Sequence, residues 1–136
     1  MLTAEDIMTP HAVSITKDAT IYEAIGLMLT NEISGLPVVE PDMTLVGIIT
    51  EKDVLQLYEH PERARGLLVE DLMSTPAVFF DKEEPFEDIS RCLIQNDFRR
   101  VPVTSYGKVV GIVSRPDITR HILQVIKEGA ISGREK

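Results

Sequence analysis

The sequence predicts an α+β fold in which one β-α-β-β-α unit is used twice, the two copies packed about a pseudo-twofold axis. Three observations carry this. An internal repeat spans most of the chain. Both copies show the same order of strand and helix signals. And 136 residues are too few for two independent cores, so the copies are expected to share one.

The repeat is read directly. Glu5-Asp6-Ile7-Met8 returns as Glu70-Asp71-Leu72-Met73, 65 positions later. The same offset pairs Leu2 with Leu67, Ala12 with Ala77, Val13 with Val78, Lys17 with Lys82, Asn31 with Asn96, Pro37 with Pro102 and Val38 with Val103. One residue is then lost in a turn, and an offset of 64 pairs Val46 with Val110, Gly47 with Gly111, Ile48 with Ile112 and Asp53 with Asp117. These are 14 identities over somewhat more than fifty aligned positions, where average residue usage gives about three by chance. The chain divides into a first unit at 1–60, a linker at 61–66, a second unit at 67–128 and a loose tail at 129–136.

In the first unit, Val13–Ile15 is a short strand. Thr20-Ile21-Tyr22-Glu23 has capping-box form. Ile21, Ala24, Ile25, Met28 and Leu29 follow at helical spacing. Leu36–Val39 and Leu45–Ile49 are apolar runs parted by Pro41 and Asp42, which reads as two strands and a turn. Thr50 opens a second helix to about Tyr58. The second unit gives a strand at Val78–Phe80, a helix at Pro85–Gln95, strands at Val101–Thr104 and Val109–Val113, and a helix from Ser114 to Lys127. Gly107 marks its tighter turn, and Gly129 is the expected helix stop. Cys92 falls on an inward stripe with Phe86, Ile89 and Leu93, and reads as a buried, inert thiol. Met8 and Met73 read as core plugs.

Composition narrows the function. Fourteen Lys and Arg against 22 Asp and Glu leave a net charge of −8. That balance argues against a nucleic-acid binder, which needs clustered cations for phosphates, and against an anionic membrane surface. No apolar run approaches the ~18 residues of a membrane span. Met1–Thr9 lacks the pattern of a signal peptide. A single cysteine suits a reducing compartment, and the expected location is cytoplasmic.

The strongest motif lies where the last strand of each unit becomes a helix. Gly47-Ile48-Ile49-Thr50-Glu51-Lys52-Asp53 aligns with Gly111-Ile112-Val113-Ser114-Arg115-Pro116-Asp117. Each copy carries a glycine, a hydroxyl three residues on, and an aspartate three beyond that. A hydroxyl and a carboxylate in the first turn of a helix can grip a diol such as ribose. The same pair can also serve only as a helix cap. The repeated glycine is the spacing expected where something approaches the backbone closely.

Together these segments resemble the CBS (cystathionine β-synthase) domain family, as a tandem pair covering about Leu2 to Gln124. The marks are Asp6-Ile7-Met8-Thr9-Pro10, Gly35-Leu36-Pro37-Val38-Val39 and the Gly47–Asp53 segment. The second copy shows Asp71-Leu72-Met73, Arg100-Val101-Pro102-Val103 and the Gly111–Asp117 segment. The resemblance implies two clefts that bind an adenosine-containing ligand: AMP, ADP, ATP or S-adenosylmethionine. It implies one site of Ser114 and Asp117 with Val13, Ile33 and Ser34, and another of Thr50 and Asp53 with Val78, Phe98 and Arg99. Arg99 and Arg100 stand where the family's basic residues meet phosphates. From the residues alone they read equally as solvated ion-pair arginines. The resemblance further implies a homodimer that regulates a partner in trans. The alternative is a ligand-free interaction scaffold.

Two departures make the sites unequal. Pro116 removes a backbone N–H in the second motif, and Ser34-Gly35 stands where the second unit has Arg99-Arg100. An enzyme is not expected: Ser114, Asp117 and His121 share one helix, but Ser114 and His121 are two turns apart and cannot relay a proton directly. His11, His60 and His121 fit no metal-ligand spacing, so no metal is expected.

Overall fold

The computed structural model describes residues 1–134. Its elements run α1 (Ala4–Ile7), β1 (Thr9–Pro10), β2 (Ile15–Thr16), α2 (Ile21–Asn31), β3 (Gly35–Val39), β4 (Leu45–Thr50), α3 (Glu51–Leu55), a 3-10 turn (Pro61–Ala64), α4 (Val69–Leu72), β5 (Phe80–Asp81), α5 (Phe86–Gln95), β6 (Arg100–Ser105), β7 (Lys108–Ser114) and α6 (Arg115–Arg134). The expected duplicated α+β order is present.

Each unit builds one sheet. β2 pairs parallel with β3, and β3 antiparallel with β4. In the second unit β5 pairs parallel with β6, and β6 antiparallel with β7. The central strands β3 and β6 bury nearly every residue, which is why they read as continuous apolar runs rather than alternations. The hairpin tips of the two sheets meet: Leu45 N–H donates to the Gly107 carbonyl and Val109 N–H to the Met43 carbonyl, both at 3.0 Å. Gly107 adopts φ +79° in the tight β6–β7 turn, a conformation that favours glycine.

The first segment of each repeat crosses to the other repeat's lobe. Val69 N–H donates to the Ala19 carbonyl at 2.8 Å, and its counterpart Ala4 N–H donates to the Glu84 carbonyl at 2.9 Å. β1 pairs with β7, Thr9 opposite Ile112. Ser74, the counterpart of Thr9, bridges Ile48. The apolar interior accordingly forms two clusters instead of the single shared core expected from length. One gathers Ile15, Ile21, Ala24, Leu36, Val38 and Ile49 with Val69 from the second repeat. The other gathers Phe80, Ile89, Val101, Val103 and Val113 with Ala4 from the first. Segment exchange lets each small lobe borrow the apolar cover that sixty residues cannot supply.

The crossing segments contain α1 and α4, which four-residue length hides from any periodicity argument. Their caps are nevertheless in the repeated motif. Asp6 Oδ2 accepts from Thr3 N at 2.9 Å, and Asp71 Oδ2 accepts from Leu68 N at 2.8 Å. Met8 and Met73 follow and pack partly buried on the two clusters.

Several boundaries differ from expectation. Val13 and Val78 precede their strands, because pairing begins at Ile15 opposite Val38 and at Phe80 opposite Val103. The helix expected to reach Tyr58 ends at Leu55. Beyond it Leu57 and Tyr58 N–H groups bond three residues back, to Val54 and Leu55, a tightened helix end. Gly129 does not stop α6, which runs on to Arg134. A glycine in a helix interior costs only about 1 kcal/mol relative to alanine, and Gly129 does not take the left-handed conformation of a C-cap. The last two residues of the expected tail, 135–136, lie outside the described residues. Thr20 caps α2 through Glu23 N–H at 3.1 Å. Ile89 and Leu93 are buried, with Phe86 and Cys92 packed against them. No helix among the described residues is long and apolar enough to cross a membrane.

Candidate functional site

The two hydroxyl-x-x-aspartate motifs fold as helix caps. In the first copy Asp53 Oδ2 accepts from Thr50 N at 2.8 Å and from Thr50 Oγ1 at 3.1 Å. In the second, Asp117 Oδ2 accepts from Ser114 N at 2.8 Å and from Ser114 Oγ at 2.9 Å. One oxygen of each carboxylate is thereby spent on the local turn. Each carboxylate keeps a second oxygen outside its cap.

Those second oxygens differ. Asp117 Oδ1 accepts from Thr9 Oγ1 at 3.1 Å and from Arg120 Nη1 at 3.2 Å. Asp53 Oδ1 accepts no hydrogen bond among the described residues, and the Asp53 side chain is only partly buried.

Beside Thr50 opens a cavity of about 560 Å³. Its floor is formed by β3, β4 and β6 near Gly35, Pro37, Ile48 and Pro102. Pro76, Ala77, Val78 and Phe98 give an apolar wall, while Thr50, Ser74, Arg99 and Arg100 supply polar groups. An apolar slot with a few convergent polar groups is the usual form of a small-molecule site. Thr50, Val78, Phe98, Arg99 and Arg100 come together around this cavity, whereas Asp53, which caps α3 at Thr50, is not among the residues lining it.

The other predicted group is less gathered. Ile33 and Ser34 line a second cavity of about 520 Å³ with Arg99, Arg100, Arg115 and Pro116. Ser34 lines the first cavity as well. Val13 packs against the first core cluster. Val13, Ser114 and Asp117 line neither of these two cavities.

Arg100 belongs to both cavities. Burial pulls its guanidinium below the ordinary arginine value, and the charge of Asp117 acts the opposite way. Its Nε is buried with no hydrogen-bond partner among the described residues. Arg99 is exposed. Ser74, Pro76 and Ala77 were missed as lining residues. The identity of Ala77 with Ala12, beside Val78, was the available signal. Thr9 and Arg120 were missed as partners of Asp117, since Thr9 lies 108 residues away.

The repeated glycines have a structural cause. A Cβ on Gly47 would lie 2.9 Å from the Ser74 carbonyl oxygen and from Met73 Sδ. A Cβ on Gly111 would lie 2.8 Å from the Thr9 carbonyl oxygen, with Met8 also too near. The close approach foreseen from sequence is made by the exchanged segments. His121 lies edge-on to Phe86, ring centroids 4.7 Å apart. Among the described residues no three His, Cys, Asp or Glu side chains gather as a metal site.

The model of the CBS domain matches residues 4–60 and again 69–124. The chain belongs to the CBS domain family. As a CBS pair it is similar to an uncharacterized protein of Methanocaldococcus jannaschii, MJ1225, with 30% identity over 116 residues, 85% of this chain and 41% of that protein. The chain therefore spans less than half of that curated relative. Among solved structures, this CBS pair resembles CBSX2 in complex with AMP, with TM-score 0.82 and 30% identity over 92% of this chain and 98% of that one. It also resembles the CBS domain pair of protein MJ0100 in complex with 5′-methylthioadenosine and S-adenosyl-L-methionine, with TM-score 0.77 and 26% identity over 90% and 96% of the two chains. Similar CBS pairs thus bind adenosyl compounds.

Proposed function

We propose that this CBS pair is a regulatory sensing module that takes an adenosine-containing metabolite (AMP, ADP, ATP or S-adenosylmethionine) in the cavity beside Thr50. The observation that carries the reading is the cavity beside Thr50, with an apolar wall and two arginines; Asp53, capped by Thr50, keeps its Oδ1 free of hydrogen bonds among the described residues. Adenine lies against Val78 and Phe98, the ribose diol donates to Asp53, and a phosphate meets Arg99 and Arg100. The ligands of the CBSX2 and MJ0100 structures share the adenosyl group, which supports the choice of ligand class. Two hydrogen bonds to a carboxylate contribute about 1.5–3 kcal/mol each, and burial of the base adds a few more, against several lost in association. The balance of about 8 kcal/mol is micromolar binding, the range in which a sensor follows a changing metabolite.

Binding reweights two arrangements of the lobes and is read by a partner protein in trans. The chain acts as a homodimer. Ile122, Leu123, Val125 and Ile126 leave α6 with an exposed apolar face, which supports self-association. A second reading is favoured by the capping geometry itself: if both aspartates serve only as caps, the pair is a ligand-free scaffold.

Thermal unfolding with AMP, ADP, ATP and S-adenosylmethionine separates the two. A ligand at a hundred times its Kd adds about 2.7 kcal/mol, a shift of several degrees. Arg99→Ala, at an exposed residue, is expected to leave the ligand-free midpoint unchanged and to reduce the shift with AMP more than that with S-adenosylmethionine. No shift with any of the four compounds favours the scaffold.

A further inference from the structure

We propose that Asp117 is latched to β1 and α6 and so withheld from a ribose diol, and that the chain takes one adenosyl ligand per copy, in the cavity beside Thr50. This rests on the ligand reading above and adds which site works.

A carboxylate offers about four acceptor positions. Asp117 fills four: Ser114 N, Ser114 Oγ, Thr9 Oγ1 and Arg120 Nη1. Its side chain is 4% exposed. A ribose diol reaches it only by displacing Thr9 and Arg120. Among the described residues Asp53 accepts from Thr50 alone, through one oxygen.

The repeat shows which residues make the difference. The counterpart of Thr9 is Ser74, whose hydroxyl makes no hydrogen bond to Asp53 among the described residues. The counterpart of Arg120 is Gln56, and Gln56 Nε2 turns to the Asp53 backbone carbonyl at 2.7 Å. The third difference is across the strand. Ser114 pairs with Arg100, whereas Thr50 pairs with Gly35. A Cβ on Gly35 would already lie 3.3 Å from Thr50 Cγ2. Arg100 lines both cavities, so this difference changes their lining and not the engagement of Asp117. Two substitutions in otherwise matching frames, Thr9 for Ser74 and Arg120 for Gln56, thus turn one carboxylate into a tether. The tether fastens β1, and with it the exchanged N-terminal segment, to the start of α6.

Two measurements test this on the full chain. The first uses no ligand: a double-mutant cycle of Thr9→Val with Asp117→Asn, read from denaturant unfolding. It is expected to show a coupling factor of about tenfold or more, the range of a hydrogen bond to a charged group. The matching cycle of Ser74→Ala with Asp53→Asn is expected to give a factor near one. Equal factors in the two cycles overturn the latch. The second is calorimetry with AMP and with S-adenosylmethionine. One ligand per native chain, and two in the Thr9→Val/Arg120→Ala chain, are expected. Two per native chain, or one in both chains, overturn the proposal. If neither compound binds, the ligand reading fails, and the cycle still decides whether Asp117 is a latch.

Discussion

The sulfur of Met73 lies 2.9 Å from where a Cβ on Gly47 would stand. The repeated methionine and the repeated glycine are two halves of one contact, made where an exchanged segment crosses a strand of the other lobe. Adding a methyl there forces the Ser74 carbonyl, also at 2.9 Å, to move. Gly47→Ala is expected to lower stability by about 1–3 kcal/mol, the usual cost of overpacking. Gly26 lies inside α2 with nothing near its Cβ position, and Gly26→Ala is expected to raise stability by about 0.5–1 kcal/mol. Denaturant midpoints of the two variants move in opposite directions if the contact is as described.

Exchange also predicts that neither repeat folds alone. A fragment of residues 1–66 lacks Val69, Leu72 and Met73 from its core, and a fragment of residues 67–136 lacks Ala4, Ile7 and Met8. Each is expected to show an unfolded circular dichroism spectrum by itself, and the equimolar mixture to recover helix and sheet. A cooperative thermal transition in either fragment alone contradicts this.

Arg100 is a cation whose burial penalty outweighs its attraction to Asp117. Its Nε also has no partner among the described residues, and a buried donor left unsatisfied costs free energy. Arg100→Met keeps the stem and removes the charge, and is expected to leave stability unchanged or raise it by about 1 kcal/mol. The same variant is expected to bind AMP no better than adenosine, measured by calorimetry. A clear loss of stability shows instead that Arg100 is a structural partner of Asp117.

Asp42 gives a pH signature. Hydrogen bonds from Thr44, side chain first and then backbone, hold its carboxyl below the ordinary value, and Thr44 N–H reaches Asp42 Oδ1 at 3.0 Å. A depressed native pKa favours the folded state above the unfolded value, and that contribution is lost as pH falls through the native one. The group is fully exposed, so the readout is its own titration. In Thr44→Val, carbon-13 NMR is expected to place the Asp42 pKa closer to the ordinary 3.8 than in the native chain.

Much of the site was legible because the two copies annotate each other. Thr50 with Asp53, and Ser114 with Asp117, stood out as the repeated hydroxyl and carboxylate. Phe98, Arg99 and Arg100, at and just before the start of β6, were placed by the family resemblance. The same symmetry misled where tertiary contacts break it. Val13, matched to Val78, packs into a core cluster while Val78 lines the cavity. The short helices α1 and α4 escaped because one helical turn has no period to detect. Gly129 was read as a stop, yet composition alone does not impose the left-handed backbone that ends a helix.

The chain's sequence by itself determined the duplication, the β-α-β-β-α order and the helix caps. All of these follow from spacing along one chain, where propensity, period and capping act over a few residues. Tertiary structure alone decided that the repeats trade their first segments, that two cores form, and that Asp117 is engaged while Asp53 keeps an oxygen open. Those outcomes depend on Thr9 meeting Asp117 and on Met73 meeting Gly47 across long loops. No local rule orders such contacts, because their free energy arises only when distant surfaces are packed together.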